Sequence, residues 1–327
     1  MELRHLELLR DLAALGSLTR VAAATHRTPS ALSQQLRVAT REAGVPLVEP
    51  FARGLRLTAE GRLLADGADE VLAASARLRA RLEAVRGEPA GRVVVDTLPS
   101  AGTVLLPALV HRLRGSAVVL DLDDHDLAEA DVAARTVHAD VVIGHSPTTG
   151  PPQGSAGLAV RVLAHEPLDV ALPVDHPLAD RASLAPSDLA GTRWVGVPPG
   201  YPFDTILLGV EQRLGAPLER VVRIRDNQLV RALVAAGTGL AVLPRFSTAP
   251  GDDVVLRPLV DVHASRSIVA LCRPDRLERL AVRTVVAHLV EIGAAVDAGR
   301  TGGAGAVRGA GGVTPPSAAP PGADRQR

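Results

Sequence analysis

The sequence predicts three consecutive parts: a cluster of short helices closed by a small β-hairpin, one long helix, and an α/β domain. Three observations lead there. Leucines recur at helical spacing from residue 3, a proline-free stretch runs from Ala59 to Arg86, and beyond Gly91 short β-branched runs alternate with helical ones. Such alternation implies strands covered by helices, with a largely parallel sheet.

The first part spans residues 1–58. Leu3, Leu6, Leu9, Leu12 and Leu15 form an apolar stripe that ends at Gly16. Ser17 or Thr19 can cap a second helix through Val21 to Thr25, and Pro29 and Ser30 open a third that runs through Leu32, Leu36 and Val38 to Gly44. Proline in a first helical turn loses nothing, since its missing N–H has no helical partner there anyway. Val45 to Thr58 holds Pro46, Pro50 and Gly54, which suits a hairpin better than a helix.

The second part, 59–86, carries a heptad pattern. Leu64, Val71, Leu78 and Val85 fall seven apart, while Ala68, Ser75 and Leu82 fill the alternate positions. A helix of ~28 residues runs ~42 Å, and the seam predicts self-pairing through Leu64, Val71, Leu78, Leu82 and Val85. Gly87, Pro89 and Gly91 mark a hinge over 87–91.

The third part is expected over 92–296. Candidate strands are Arg92–Asp96, Ala117–Leu122, Asp140–Ile143, Leu158–Leu163, Leu168–Leu172, Trp194–Val197, Val221–Ile224, Leu240–Leu243 and Ile268–Leu271. Helices are expected through Leu105 to Leu113, over Leu127 to Val137, and over Arg276 to Val296. Residues 297–327 are expected to be a disordered tail, being Gly-, Ala- and Pro-rich with almost nothing large from Gly299 onward.

Composition excludes several function classes. The 327 residues are 46% hydrophobic, enough for real cores, and 36 basic residues balance 36 acidic ones. A neutral whole still permits nucleic-acid binding, because only the docking face must be positive. One cysteine, Cys272, cannot make an internal disulfide, and no Cys/His cluster has metal spacing, so neither metal nor cofactor is expected. Charges at Glu2, Arg4, Glu7 and Arg10 argue against a signal peptide. No uncharged apolar run reaches ~18 residues, so no membrane partner is expected and the expected location is the cytoplasm.

The third helix carries the first chemical signal. Ser30, Ser33, Gln34 and Arg37 lie on one face at spacings of three and four. Hydroxyl, amide and guanidinium groups are what base edges and phosphates require. From Arg20 to Thr58 six arginines stand against Glu42 and Glu49, a local surplus of four positive charges.

These residues also sit in ordered motifs. HLELLRDLAALGSLTRVAAATHRTPSALSQQL contains a turn signature at Gly16, Ser17, Leu18, Thr19, Ala22 and Ala23, and a recognition-helix signature from Thr28 to Leu36. LVEPFARGLRLTAEG, from Leu47 to Gly61, follows as a wing. The segment resembles the winged helix-turn-helix of the LysR-type transcriptional regulators. The resemblance implies DNA contacts from Arg27, Thr28, Pro29, Ser30, Ser33, Gln34 and Arg37, with Arg53 and Arg56 on the wing. Two departures stand out. Ala39-Thr40 replaces the family's Leu-Glu late in the helix, and Val48-Glu49-Pro50 replaces its Phe-x-Arg entering the wing.

LLPALV (105–110), HADVVIG (138–144), DHPLA (175–179) and VAAGTGLAVLP (234–244) resemble the family's effector domain, two α/β lobes like a periplasmic binding protein. The implied lobes are 92–162 with 266–296, and 163–265. The family's ligands sit between lobes, which points by position to Thr97, Ser100, Ala101, His125, His145, Ser146, Tyr201 and Phe203. Helix-start N–H groups and hydroxyls suit an acceptor such as carboxylate or amide, so the expected effector is small and polar, with an anion preferred. The implied partners are double-stranded DNA, that effector, further copies of the chain as homodimer or homotetramer, and RNA polymerase.

Two rival readings are weaker. Gly144-His145-Ser146-Pro147-Thr148 nearly spells a hydrolase nucleophile elbow, but Thr148 stands where the last glycine belongs and Pro147 hinders the following helix. Gly237-Thr238-Gly239 lacks the third glycine of a dinucleotide loop and precedes a strand instead of following one. A solute-binding protein would match the third part yet lack the N-terminal helices. No catalytic residue is expected.

Overall fold

The structure, a computed structural model, describes residues 1–52, 54–85, 87–125, 132–148, 150–249 and 251–301. Helices α1 (Leu3–Leu15), α2 (Leu18–Ala24) and α3 (Pro29–Ala43) form the N-terminal unit. The left-handed conformation that ends α1 and α3 falls on Gly16 (φ 67°) and Gly44 (φ 70°), where no Cβ resists it. Leu9, Leu32 and Leu47 are fully buried at its centre. Strands β1 (Val48–Phe51) and β2 (Gly54–Leu57) pair antiparallel as the wing, with Val48 opposite Leu57.

Helix α4 (Ala59–Val85) follows without a break. Its start presses on the wing entry: a Cβ added at Gly61 would overlap the Leu47 carbonyl. Ala65, Ala68, Leu72 and Ala73 are buried. Leu64 packs with Ala68 and Leu72 against Leu3 and Leu6 of α1. That corrects the expected seam, because the N-terminal unit needs the first turns of α4 to close its own core. Leu64 and Ala68 therefore face inward. Val71, Leu78, Leu82 and Val85 remain exposed.

The C-terminal part is built on a seven-stranded sheet of β3 (Ala90–Thr97), β4 (Ala117–Asp124), β5 (Val141–Ser146), β6 (Ala159–Pro173), β9 (Ala241–Pro244), β10 (Val254–Arg257) and β11 (Ser265–Cys272). Strands β7 (Arg193–Gly196) and β8 (Glu219–Arg223) form a separate parallel pair. The order is β10-β6-β11-β5-β3-β4, with β9 also on β6. Within this sheet only β3 pairs parallel, with β4 and β5; β6 and β11 pair antiparallel with their neighbours. The expected largely parallel sheet is thus mixed, since β6 runs on from lobe I into lobe II and the chain returns to lobe I through the antiparallel β11. The two strands expected over 158–163 and 168–172 are one: β6 leaves β11 at Pro167 and picks up β9 at Leu168. Strand β10 was not expected from the sequence.

Lobe I packs β3, β5 and β11 against α5 (Pro99–Arg112) and α9 (Leu280–Thr301), around Val93, Leu105, Leu109, Ile143, Val285 and Leu289. Lobe II packs α6 (Pro202–Leu214) over Trp194, Leu172 and Leu189, and α7 (Asn227–Ala235) over Val195 and Leu243. A short α8 (Pro274–Leu277) precedes α9. Two boundaries differ from expectation. The strand after the hinge already begins at Ala90, and α9 runs to Thr301, so residues 297–301 are helical. Of the helix expected over Leu127 to Val137, residues 126–131 lie outside the described residues and 133–137 form a 3-10 turn. The tail from 302 to 327 also lies outside them.

The N-terminal unit docks on lobe I through charged contacts. The Arg10 guanidinium on α1 donates to Asp275 of α8 at 2.8 Å and to Asp69 of α4 at 3.1 Å. Arg273 donates to Asp11 at 2.5 Å. Around them His138 Nδ1 lies 3.0 Å from the Ala24 carbonyl oxygen, and Val137 joins the apolar core of the N-terminal unit.

Candidate nucleic-acid interface and effector cleft

Helix α3 is fixed from its inner face. Leu32, Leu36 and Ala39 are buried, and so is Gln35, whose amide donates to the Arg4 carbonyl while its oxygen accepts from Arg27 at 2.6 Å. Gln35 therefore clamps α3 to α1. Sequence reasoning passed over it, although its spacing of three from Leu32 puts it on the core side. Thr28 caps the helix, accepting from the Ala31 N–H at 3.3 Å, and Ser30 lies 3.1 Å from the Thr28 hydroxyl. Ser30, Gln34 and Arg37 are exposed on the opposite face and Ser33 is half-buried beside them. The expected reading face is a real surface.

Two expected contacts look different in three dimensions. Arg27 is held by Gln35. Arg56 donates to Glu49 across the wing at 2.6 Å and lies 4.6 Å over the Phe51 ring. The Glu49 that stands in this chain's departure from the family wing thus engages Arg56 within the hairpin. Arg53 lies outside the described residues.

Between the lobes is a cavity of about 340 Å³. Lobe I supplies Leu98, Pro99, Ser100 and His145, lobe II supplies Val197, Tyr201, Phe203 and the α7 start, and Arg266 enters from β11. Of the eight expected effector residues, Ser100, His145, Tyr201 and Phe203 come together here. Thr97, Ala101 and Ser146 do not, being buried behind the wall at 3%, 0% and 0% exposure. The Thr97 hydroxyl donates to the Leu98 carbonyl, and Ser146 lies 3.2 Å from the Thr148 hydroxyl. That buried Ser146 also leaves the elbow-like run without an accessible nucleophile. His125 is elsewhere: it contacts Asp96 at 3.1 Å and lines an outer crevice facing α2.

Arg266 was not anticipated. It donates to Glu166 of β6 through Nε at 2.8 Å and Nη2 at 2.6 Å, and to the Ser100 hydroxyl at 2.8 Å. Both members of the ion pair are almost wholly buried, at 3% and 1% side-chain exposure. Glu166 also accepts from the Phe246 N–H at 2.7 Å, so the pair is well satisfied, as a buried pair must be. At the mouth, exposed Arg225 donates to the Tyr201 hydroxyl at 3.4 Å. His145 is buried, and burial first, then the nearby Arg266 charge, pushes its pKa down to about 3; it is neutral at ordinary pH. Cys272 is a core residue whose thiol burial pushes up to about 12, so it is neither nucleophile nor thiolate near neutrality.

A helix-turn-helix with the polar face of α3 outward, joined by one long helix to a two-lobed fold with a cleft, defines a DNA-binding regulator with a ligand-binding domain. The chain belongs to the LysR family. Residues 86–294 match the LysR substrate binding domain and residues 3–62 match the bacterial regulatory helix-turn-helix protein, lysR family. It is 28% identical over 292 residues to the DNA-binding transcriptional dual regulator OxyR of Escherichia coli K12, covering 86% of this chain and 94% of that one. It is 29% identical over 310 residues to the Hca operon transcriptional activator HcaR of the same strain, covering 91% and 100%. Among solved structures, a single-site variant of full-length OxyR from Pseudomonas aeruginosa superposes with a TM-score of 0.62 at 23% identity, over 90% of this chain and 94% of that chain. Full-length BenM gives 0.50 at 22%, over 92% and 98%. At such identities these structures show the fold alone. The chain is accordingly a DNA-binding transcriptional regulator with an effector-binding domain. Among the described residues no helix is long and apolar enough to cross a membrane.

Proposed function

We propose that this regulator reads duplex DNA through Ser30, Ser33, Gln34 and Arg37, and that a small molecule in the inter-lobe cleft changes how it sits there. The outward face of α3 carries the proposal: its inner face is fully used by the core, while hydroxyl, amide and guanidinium groups are left exposed in helical register. Arg53 and Arg56 belong to the backbone-contacting wing in this reading, with Arg56 exchanging Glu49 for phosphate. Two copies pair through Val71, Leu78, Leu82 and Val85 of α4, and the protein works in the cytoplasm without catalysing a reaction. A dimer sets two recognition helices about one DNA turn or a multiple apart, so the site is an interrupted inverted repeat.

Peroxide sensing, which several relatives carry in their names as hydrogen peroxide-inducible genes activators, is not part of the proposal. These 327 residues hold one cysteine, and its raised pKa and burial oppose the thiolate that oxidation chemistry needs. Selection of bound genomic fragments followed by footprinting tests the function. Two protected half-sites in register are expected; failure to enrich any fragment over random DNA overturns it.

A further inference from the structure

We propose that the cleft takes a small molecule with an acceptor at each end: an uncharged carbonyl oxygen held by Arg266 and Ser100 at the inner end, and a carboxylate facing Arg225 at the mouth. The inference rests on the reading of the cleft as the effector site and adds the chemistry of its occupant.

Arg266 carries the argument. Its side chain is 3% exposed and lines the cavity. Nε and Nη2 are used by Glu166 and Ser100. Nη1 makes no hydrogen bond among the described residues, yet it is not sealed from the surface. The His145 ring nitrogens are sealed and take no part. A guanidinium has only N–H donors, so Nη1 calls for an acceptor. The Ser100 hydroxyl beside it already accepts from Arg266 and keeps its own hydrogen to donate. Both oxygens of Glu166 are taken, by the Phe246 N–H and by Arg266. The inner end therefore offers donors and no acceptor.

Charge decides which kind of acceptor belongs there. Glu166 already balances Arg266, and burial holds His145 neutral. A carboxylate at the inner end would set two buried negative charges against one positive, which is costly. A carbonyl oxygen brings no charge. The mouth differs. Arg225 is exposed and, among the described residues, has no carboxylate partner; it donates to the Tyr201 hydroxyl at 3.4 Å. Its neighbour Asp226 caps α7, accepting from the Leu229 N–H at 2.7 Å, which draws that carboxylate toward the helix start. Asn227 and Gln228 add amide N–H groups at the rim. A ligand charge placed there stays partly in water and loses little hydration. Between the two ends Leu98, Val197 and Phe203 supply apolar wall, and 340 Å³ suits a body of single-ring size. The anion expected from helix N-termini and histidines thus moves to the mouth.

Calorimetric titration of para-carbamoylbenzoate into the full chain tests the proposal. Benzoate, which lacks the amide, benzamide, which lacks the carboxylate, and terephthalate, which replaces the amide by a second carboxylate, are the matched probes. Para-carbamoylbenzoate should bind at least tenfold more tightly than each, since each loses a charge-assisted hydrogen bond or buries a further charge. Arg225→Gln, at an exposed position, should weaken para-carbamoylbenzoate at least fivefold and leave benzamide unchanged. Ser100→Ala should weaken para-carbamoylbenzoate and benzamide and leave benzoate unchanged; circular dichroism reports whether each variant is folded. Benzoate or terephthalate binding as tightly as para-carbamoylbenzoate, an unchanged affinity in Arg225→Gln, or no binding at millimolar concentration overturns the two-ended assignment. The cleft reading fails separately if para-carbamoylbenzoate binds wild type and the cleft-filled, folded Val197→Trp equally.

Discussion

Replacing Arg10 by alanine tests whether the N-terminal unit and lobe I form one cooperative body. Arg10 is a 10% exposed side chain bridging Asp275 and Asp69, whose side chains are 14% and 34% exposed. Breaking a fully buried pair by deleting one partner costs about 3–5 kcal/mol, because a charge is left without its counter-ion. Here water can return to both carboxylates in part, so the loss should be about 2–3 kcal/mol. Urea unfolding of the full chain measures it. The wild type should unfold in one transition across the dock, and Arg10→Ala should either lower the midpoint or split the curve. A cycle with Asp275→Ala should return a coupling of about 1–2 kcal/mol. A loss below ~0.5 kcal/mol, the scale of an exposed pair, or strict additivity in the cycle would refute the reasoning. The dock would then be a resting contact only.

Three further outcomes are expected. Leu78→Arg should leave the fold intact, since Leu78 is 70% exposed, but it removes an apolar contact worth ~1.5–3 kcal/mol per copy; sedimentation should shift toward monomer, and an unchanged dimer would move the interface off α4. Gln34→Ala should alter preference among operator variants by ~1–3 kcal/mol with little change on random DNA, read by competition anisotropy; equal loss on both would assign Gln34 to the backbone. The third concerns pH. The folded pKa of His145 is lowered to about 3, so its contribution is present above the unfolded value near 6.5 and is lost as pH falls below that toward 3. The stability of wild type relative to His145→Phe should therefore fall on acidification, with a slope approaching ~1.4 kcal/mol per pH unit. A difference that does not depend on pH between 7 and 5 would mean that the ring is not kept neutral.

The N-terminal unit was legible because its signals are local. Thr28 and Pro29 mark a helix start, Gly16 and Gly44 mark ends, and leucine spacing gives the buried face, all within a few residues of one another. The sheet was legible only as an alternation. Whether successive strands run parallel depends on crossings between lobes, and β6 reads as two strands because Pro167 interrupts the apolar pattern where its partners change. The cleft was half legible for a related reason. Ser100 follows β3 and His145 lies near the end of β5, both placed by lobe I strands read in order, but Arg266 reaches Ser100 across 166 residues of sequence, and no periodicity encodes such a meeting. Leu64 was misjudged because one helical register serves two purposes along α4. A heptad repeat describes which residues share a stripe and not which neighbour covers each turn.

Strand β11 joins the two ends of the molecule, and the last prediction follows from that. Arg266, at its start, belongs to the cleft, while Arg273, just past its end, holds Asp11 of the DNA-binding unit. Seven residues of extended chain separate them by about 23 Å. The strand is central in the sheet, hydrogen-bonded to both β5 and β6, so it is stiff, and a displacement at Arg266 is carried to Arg273 instead of being absorbed in a loop. Continuity in space does not by itself establish coupling; a change in mutual affinity does. Arg273→Met with Asp11→Leu replaces the ion pair by apolar contact, a swap that buried pairs often tolerate. In that variant effector affinity without DNA should stay within about twofold of wild type, while the factor by which effector changes DNA affinity falls toward one. Coupling between two sites is reciprocal and typically ~1–3 kcal/mol, so DNA should lose its effect on effector affinity by the same factor. Anisotropy with and without effector, and calorimetry with and without DNA, measure the two arms independently. Retention of the full coupling factor in a folded variant would separate the dock from signalling and leave it a structural contact between neighbouring domains.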